Sequence, residues 1–189
     1  MDQETATRPK TMEMRDFDAF IDAIASPALR KVALHWNEAR GTRRMPAWRD
    51  IDPAAIAPQL PMVWSYKHDS KTDEFIGRLA GDRIEQVFGR SLRGARLSEL
   101  HSAEAYAWVS RLCKRVITEP ALYKYAGPIF IQLNHYGSGE RIILPLSSDN
   151  VTSDGVLGAT EYPFAVSRSV ALVRPSQGVE RWLSLATSA

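Results

Sequence analysis

Four arginines crowd positions 40 to 49: Arg40, Arg43, Arg44 and Arg49. A guanidinium presents its N–H donors in a planar fork that matches the oxygens of phosphate and carboxylate. The cluster is therefore a candidate anion site, with a nucleotide or phosphate as the natural ligand. The competing reading is a solvated helix end, where cations offset the negative pole of the helix dipole. Other reactive side chains are sparse. Cys113 is the only cysteine, and it stands in an apolar helical stripe, where a thiol packs and does not react. One cysteine with scattered histidines does not make a zinc set, and no metal site is expected. Asp50 and Asp52 form a carboxylate pair on paper, but Asp52 precedes Pro53 and suits a helix cap. No G-x-S-x-G, H-E-x-x-H or G-x-x-x-x-G-K-(S/T) pattern occurs, so no catalytic residue is assigned.

A second set could bind without reacting. Trp64, Phe88, Leu97, Val109, Leu112, Cys113 and Val116 are candidate linings of a pocket between a sheet and a helix over 103–118. The same residues could simply fill a core. An empty cavity costs roughly 24 cal/mol per Å3, so a pocket that persists needs an occupant to explain it.

The elements that would position these residues follow from periodicity and punctuation. Phe17, Phe20, Ile21 and Ile24 give one apolar face to a helix over 14–25. Ser26 and Pro27 then cap and open a second helix over 27–40, which carries Leu29, Val32, Ala33 and Trp36 inward and ends at Gly41. Residues 43–61 are rich in proline and read as irregular, with one short helix from Asp52-Pro53 through Ala57. Strands follow over 62–66 and 74–80, and Gly81, Gly89 and Gly94 punctuate short segments up to Leu100. Ser102 caps a helix over 103–118 that Pro120 terminates. Three strands close the pattern, over 122–133, 141–147 and 156–162. Ile142, Leu144 and Leu146 share one face of the second. The division expected is a tail over 1–13, helices over 14–41, a domain over 42–165 and a tail over 166–189.

Composition excludes several classes. The chain has 189 residues, 44% apolar and 24% charged, as one ordinary globular domain requires. Its 24 basic and 22 acidic residues leave a net charge of only +2, whereas a nucleic-acid module needs a basic excess to meet phosphates. No apolar run approaches the ~20 residues of a membrane span. The first ten residues lack the apolar segment of a secretory signal. A lone cysteine suits a reducing compartment, so the cytoplasm is expected.

Specific residues narrow the class. Leu34-His35-Trp36, Met45-Pro46, Arg49, Asp50-Ile51-Asp52-Pro53 and Leu60-Pro61 resemble the opening of a bacterial family of single-domain PAS proteins, typified by alphaproteobacterial PAS-like sensors. The likeness continues through Arg78-Leu79-Ala80-Gly81, Phe88-Gly89, Leu92-Arg93-Gly94, Leu97 and Leu100. It closes with Leu144-Pro145-Leu146-Ser147 and covers roughly residues 29–164. His35 departs from the family's usual Tyr before the Trp. The resemblance implies an α+β fold: a PAS-like five-stranded antiparallel sheet with helices on one face and N-terminal flanking helices. It implies a sensory or signalling role, no catalytic residues and no one ligand.

The expected function is accordingly a sensor that binds a small molecule, a protein partner, or both. About 25 residues follow Phe164, so output is expected through contact with another protein. The N-terminal helices are expected to pack on the sheet or on a second copy, which makes a homodimer one candidate assembly. A ligand-free interaction scaffold is the alternative. A cyclic-dinucleotide receptor ranks below it: Arg40 and Arg44 match the RxxxR half of the pattern known from cyclic-di-GMP receptors of another fold, while the (D/N)xSxxG half is missing. An enzyme ranks last. The residues name no cofactor; His101 is the one candidate axial ligand for a haem.

Overall fold

The structure, a computed structural model, describes residues 10–132, 135–162, 170–172 and 178–185. The parts of the expected tails at 1–9, 163–169, 173–177 and 186–189, and the expected turn at 133–134, lie outside the described residues.

Capping side chains set the first elements. Strand β1 (Lys10–Glu13) leads to helix α1 (Phe17–Asp22), which Asp16 opens by accepting the Ala19 amide at 2.8 Å. Ser26 accepts the Leu29 amide at 3.0 Å and opens α2 (Pro27–Arg40), with Pro27 placed where no amide is needed. Gly41 ends α2 at φ +55°, backbone that favours glycine. Asp52 accepts the Ala54 amide at 2.9 Å and starts a run of 3-10 turns over Pro53–Met62, broken at Ile56.

The domain body then follows in the order read from sequence. Strands β2 (Val63–Asp69) and β3 (Glu74–Ala80) form an antiparallel hairpin. Short helices α3 (Asp82–Phe88) and α4 (Leu97–Leu100) precede the long α5 (Ala103–Thr118). Strands β4 (Ala121–Gln132), β5 (His135–Ser147) and β6 (Ser153–Glu161) meander antiparallel, and β6 returns to pair with β2. Pro145 lies in β5 just past the last β4 partner, the Tyr123–Ile143 pair, where β5 keeps only its β6 neighbour.

The expected five-stranded antiparallel sheet is present and is extended beyond β4 into a larger one, with β3 at the far edge. Two more strands, β7 (Val170–Leu172) and β8 (Val179–Ser184), both pair with β4. The order is β1-β8-β4-β5-β6-β2-β3, with β7 off this path. Strand β1 runs parallel to β8, which makes the sheet mixed. Residues 10–13 are short and polar, and residues 179–184 are short and lack a clean alternation, so both read as tails. Among the described residues strand β1 pairs only with β8, at the opposite end of the chain, and β8 with β4 and β1, beyond the reach of local pattern.

Both faces of the sheet are covered: α3 to α5 keep to one face and the N-terminal flanking helices cover the other. On the inner face, α5 brings Val109, Leu112, Cys113 and Val116 against Trp64, Tyr66, Phe75, Tyr123 and Ile143. On the outer face, α1, α2 and the turn between them bring Phe20, Ile24, Leu29, Val32 and Trp36 against Leu122, Ile142, Leu144, Leu157 and Leu183. The indole Nε1 of Trp36 donates to the Pro145 carbonyl at 2.8 Å. The apolar stripes of the N-terminal helices are thus buried on their own sheet. Each large side chain buried this way stabilises the packing by about 1.5–3 kcal/mol.

Candidate ligand site

Strands β2 to β6 send alternate side chains to the inner face, and one small space there remains unfilled. Its floor is Trp64 and Tyr66 from β2, Ile129 from β4, Arg141 and Ile143 from β5 and Thr160 from β6. Its roof is Ile84, Val87 and Phe88 from α3 with Val109 and Leu112 from α5, and Leu92, His101 and Tyr162 close its sides. The space open to the centre of a water molecule is about 40 Å3, room for about three waters. All the lining residues are buried except Phe88 and His101. Those two rings meet edge to face, with centroids 5.3 Å apart, and form the mouth.

The polar groups inside are arranged around Thr160. Its Oγ1 accepts Trp64 Nε1 at 2.9 Å and Arg141 Nε at 3.0 Å. The Arg141 guanidinium also stands 5.9 Å from the centroid of the Trp64 ring. Gly158 makes this possible, because a Cβ there would lie 2.2 Å from the Trp64 ring. Burial holds the Arg141 pKa below its ordinary value, yet an arginine keeps its proton in a protein. Burial first, and the charge of Arg141 second, bring the His101 imidazole down to about 4, so it is neutral at pH 7. Burial likewise raises the Tyr66 phenol and pushes the Cys113 thiol up to about 12.

Of the residues singled out from sequence, Trp64, Phe88, Val109 and Leu112 line this cavity. Leu97, Cys113 and Val116 belong to the same core cluster and are fully buried behind its wall. The arginine cluster is far from it in role. Arg40 donates to Asn37 and to the Arg43 carbonyl, at 2.8 and 2.9 Å. Arg43 pairs with Asp50 at 2.7 Å and donates to Asn150 and to the Ala39 carbonyl. Arg44 donates to the Leu185 carbonyl at 3.0 Å, and these three border an open groove with Arg15 and Asp16. Arg49 is largely exposed and lies 4.0 Å from Asp50. The first three therefore tie the end of α2 to neighbouring loops.

Sequence reasoning missed Arg141, Thr160 and Tyr66. The signal was present: Arg141-Ile142-Ile143-Leu144-Pro145-Leu146 is apolar on both phases after its first residue, which marks a strand covered on both faces.

With this geometry in view, comparison with protein families finds a match to the model described as a PAS domain, over residues 24–161. The match spans most of the chain, and the chain belongs to the PAS-domain family. It is thus a sensory or signalling domain of a kind that is generally not catalytic. Comparison with curated proteins and with solved structures gives no match. Among the described residues no helix is long and apolar enough to cross a membrane.

Proposed function

We propose that this PAS domain is a cytoplasmic bacterial sensor that takes up a small molecule between the inner sheet face and helices α3 and α5. One observation carries the reading: the core between the sheet and helices α3 and α5 keeps a cavity behind a mouth of two half-buried rings, Phe88 and His101. Protein interiors leave few voids larger than a water, and a void costs stability in proportion to its volume. Occupancy would offset that cost. It would also shift α3, which carries three of the lining residues, and so reach the surface that a signalling partner contacts. Output then passes by protein contact, with a homodimer as one form of partner.

Native mass spectrometry of the purified chain tests the reading directly. A bound mass released on denaturation supports it. A thermal-shift screen supplies the second arm, since a ligand at a hundredfold excess over its Kd stabilises by about 2.7 kcal/mol. No bound mass, together with no shift from any metabolite, would leave a ligand-free scaffold in its place.

A further inference from the structure

Arg141 is 8% exposed and projects from β5 into the cavity. Its Nε donates to Thr160, but among the described residues no carboxylate pairs with the guanidinium and no acceptor meets its two Nη groups. No Asp or Glu lines the cavity at all. The groups that feel the charge of Arg141 most are the Tyr66, Tyr123 and Tyr125 phenols and the Cys113 thiol. Burial keeps all four neutral. A charge taken from water without a counter-ion is costly, and proteins pair such charges or supply them with a ligand.

The neighbouring hydroxyls have the same need. Thr160 Oγ1 already accepts two N–H donors, which uses both its lone pairs and leaves its O–H proton seeking an acceptor. The Tyr66 hydroxyl lines the same cavity and has no partner among the described residues. Arg141, Thr160 and Tyr66 thus each bring to the lining a donor with no acceptor among the described residues, and no anionic group lines the cavity to meet them. Beyond them the walls are apolar: Ile84, Val87, Leu112 and Ile143.

We propose that the cavity recognises a small organic carboxylate, whose two oxygens meet the Arg141 guanidinium and whose apolar body lies among Ile84, Val87 and Leu112. This rests on the reading of the cavity as a ligand site and states what that site selects. A planar carboxylate matches the guanidinium fork. One negative charge balances the one positive charge; a phosphate dianion would bring an excess charge into apolar walls. A space of about 40 Å3 holds a group of a few heavy atoms, and a longer body must displace Phe88 at the mouth.

The test compares acetate, butyrate and benzoate with acetamide, butyramide and benzamide on the full chain, in a buffer free of carboxylates, with inorganic phosphate as control. Binding is read from the amide signals of Thr160 and His101 in nuclear magnetic resonance and from thermal shift. The expected result is that at least one acid binds about 10- to 100-fold more tightly than its own amide. Arg141→Gln should remove that preference, bringing the acid's affinity down to that of its amide. Should Arg141→Gln fail to fold, the acid-to-amide ratio in the unaltered chain decides alone, and Tyr66→Phe provides a milder variant. An amide that binds as well as its acid, or phosphate that binds as well as the acids, overturns charge recognition while the cavity remains a ligand site. Signals that no probe moves, with no co-purified mass, overturn both readings together. A co-purified molecule supports the proposal if it is a carboxylate and overturns it if it is not.

Discussion

Lys124 Nζ lies 2.9 Å from Glu140 Oε1 on the outer face of the sheet, and both side chains are almost wholly buried. The same carboxylate accepts the backbone amides of Ala25 and Ser26, at 3.0 and 2.7 Å, where α1 hands over to α2. One side chain therefore joins the N-terminal helices to β5. Glu140→Ala leaves the Lys124 charge buried and alone and removes the acceptor for two amides. Breaking one side of a buried pair costs about 3–5 kcal/mol. Urea denaturation should show that loss, and Lys124→Met with Glu140→Met should lose less than Glu140→Ala alone.

Gly158 faces Trp64 across the β2–β6 ladder, and the indole occupies the place of the missing side chain. Gly158→Ala puts a methyl group 2.2 Å from the ring. The indole must move, and its hydrogen bond to Thr160 goes with it. Overpacking of this kind costs about 1–3 kcal/mol. Tryptophan fluorescence and the urea midpoint should both shift; an unchanged midpoint would show that the wall of the cavity yields freely.

Where signals were local, the sequence was enough. The limits of α2 and α5 were legible because Ser26 and Ser102 cap them and Gly41 and Pro120 stop them. Strand β3 was bounded as cleanly. Strands β1 and β8 were not legible, because Lys10 pairs with Val179 across nearly the whole chain and only Trp182 and Leu183 of β8 are buried. The cavity was half legible for a related reason. Helical period tells which face of α5 turns inward, so Val109, Leu112, Cys113 and Val116 could be named together; it does not tell which of them stop at the wall. Arg141 was hidden by the assumption that Ile142, Leu144 and Leu146 mark the one buried face of β5. Coverage by α1 and α2 turned out to bury that face, and α3 and α5 the other.

Cys113 is fully buried on α5, and its thiol is held at about 12 by desolvation, so almost no thiolate exists at neutral pH. It should resist an aromatic disulfide reagent in the native protein and react fully in urea. The labelling rate should track global unfolding across denaturant. Rapid labelling in buffer would mean that α5 separates from the sheet far more often than its packing implies.

His101 makes stability depend on pH. Its folded pKa lies at about 4, below the ordinary 6.5, because burial and then the charge of Arg141 oppose its protonation. Between those two values the unfolded chain binds a proton that the folded chain does not, so stability falls as pH drops from about 6.5 and levels off below about 4. The shift corresponds to at most about 3 kcal/mol across that window. Urea midpoints of the unaltered chain should therefore decline more steeply from pH 7 to pH 4 than those of His101→Gln, which has no proton to gain. Parallel declines in the two proteins would show that His101 titrates normally, with its ring open to solvent and the mouth of the cavity ajar.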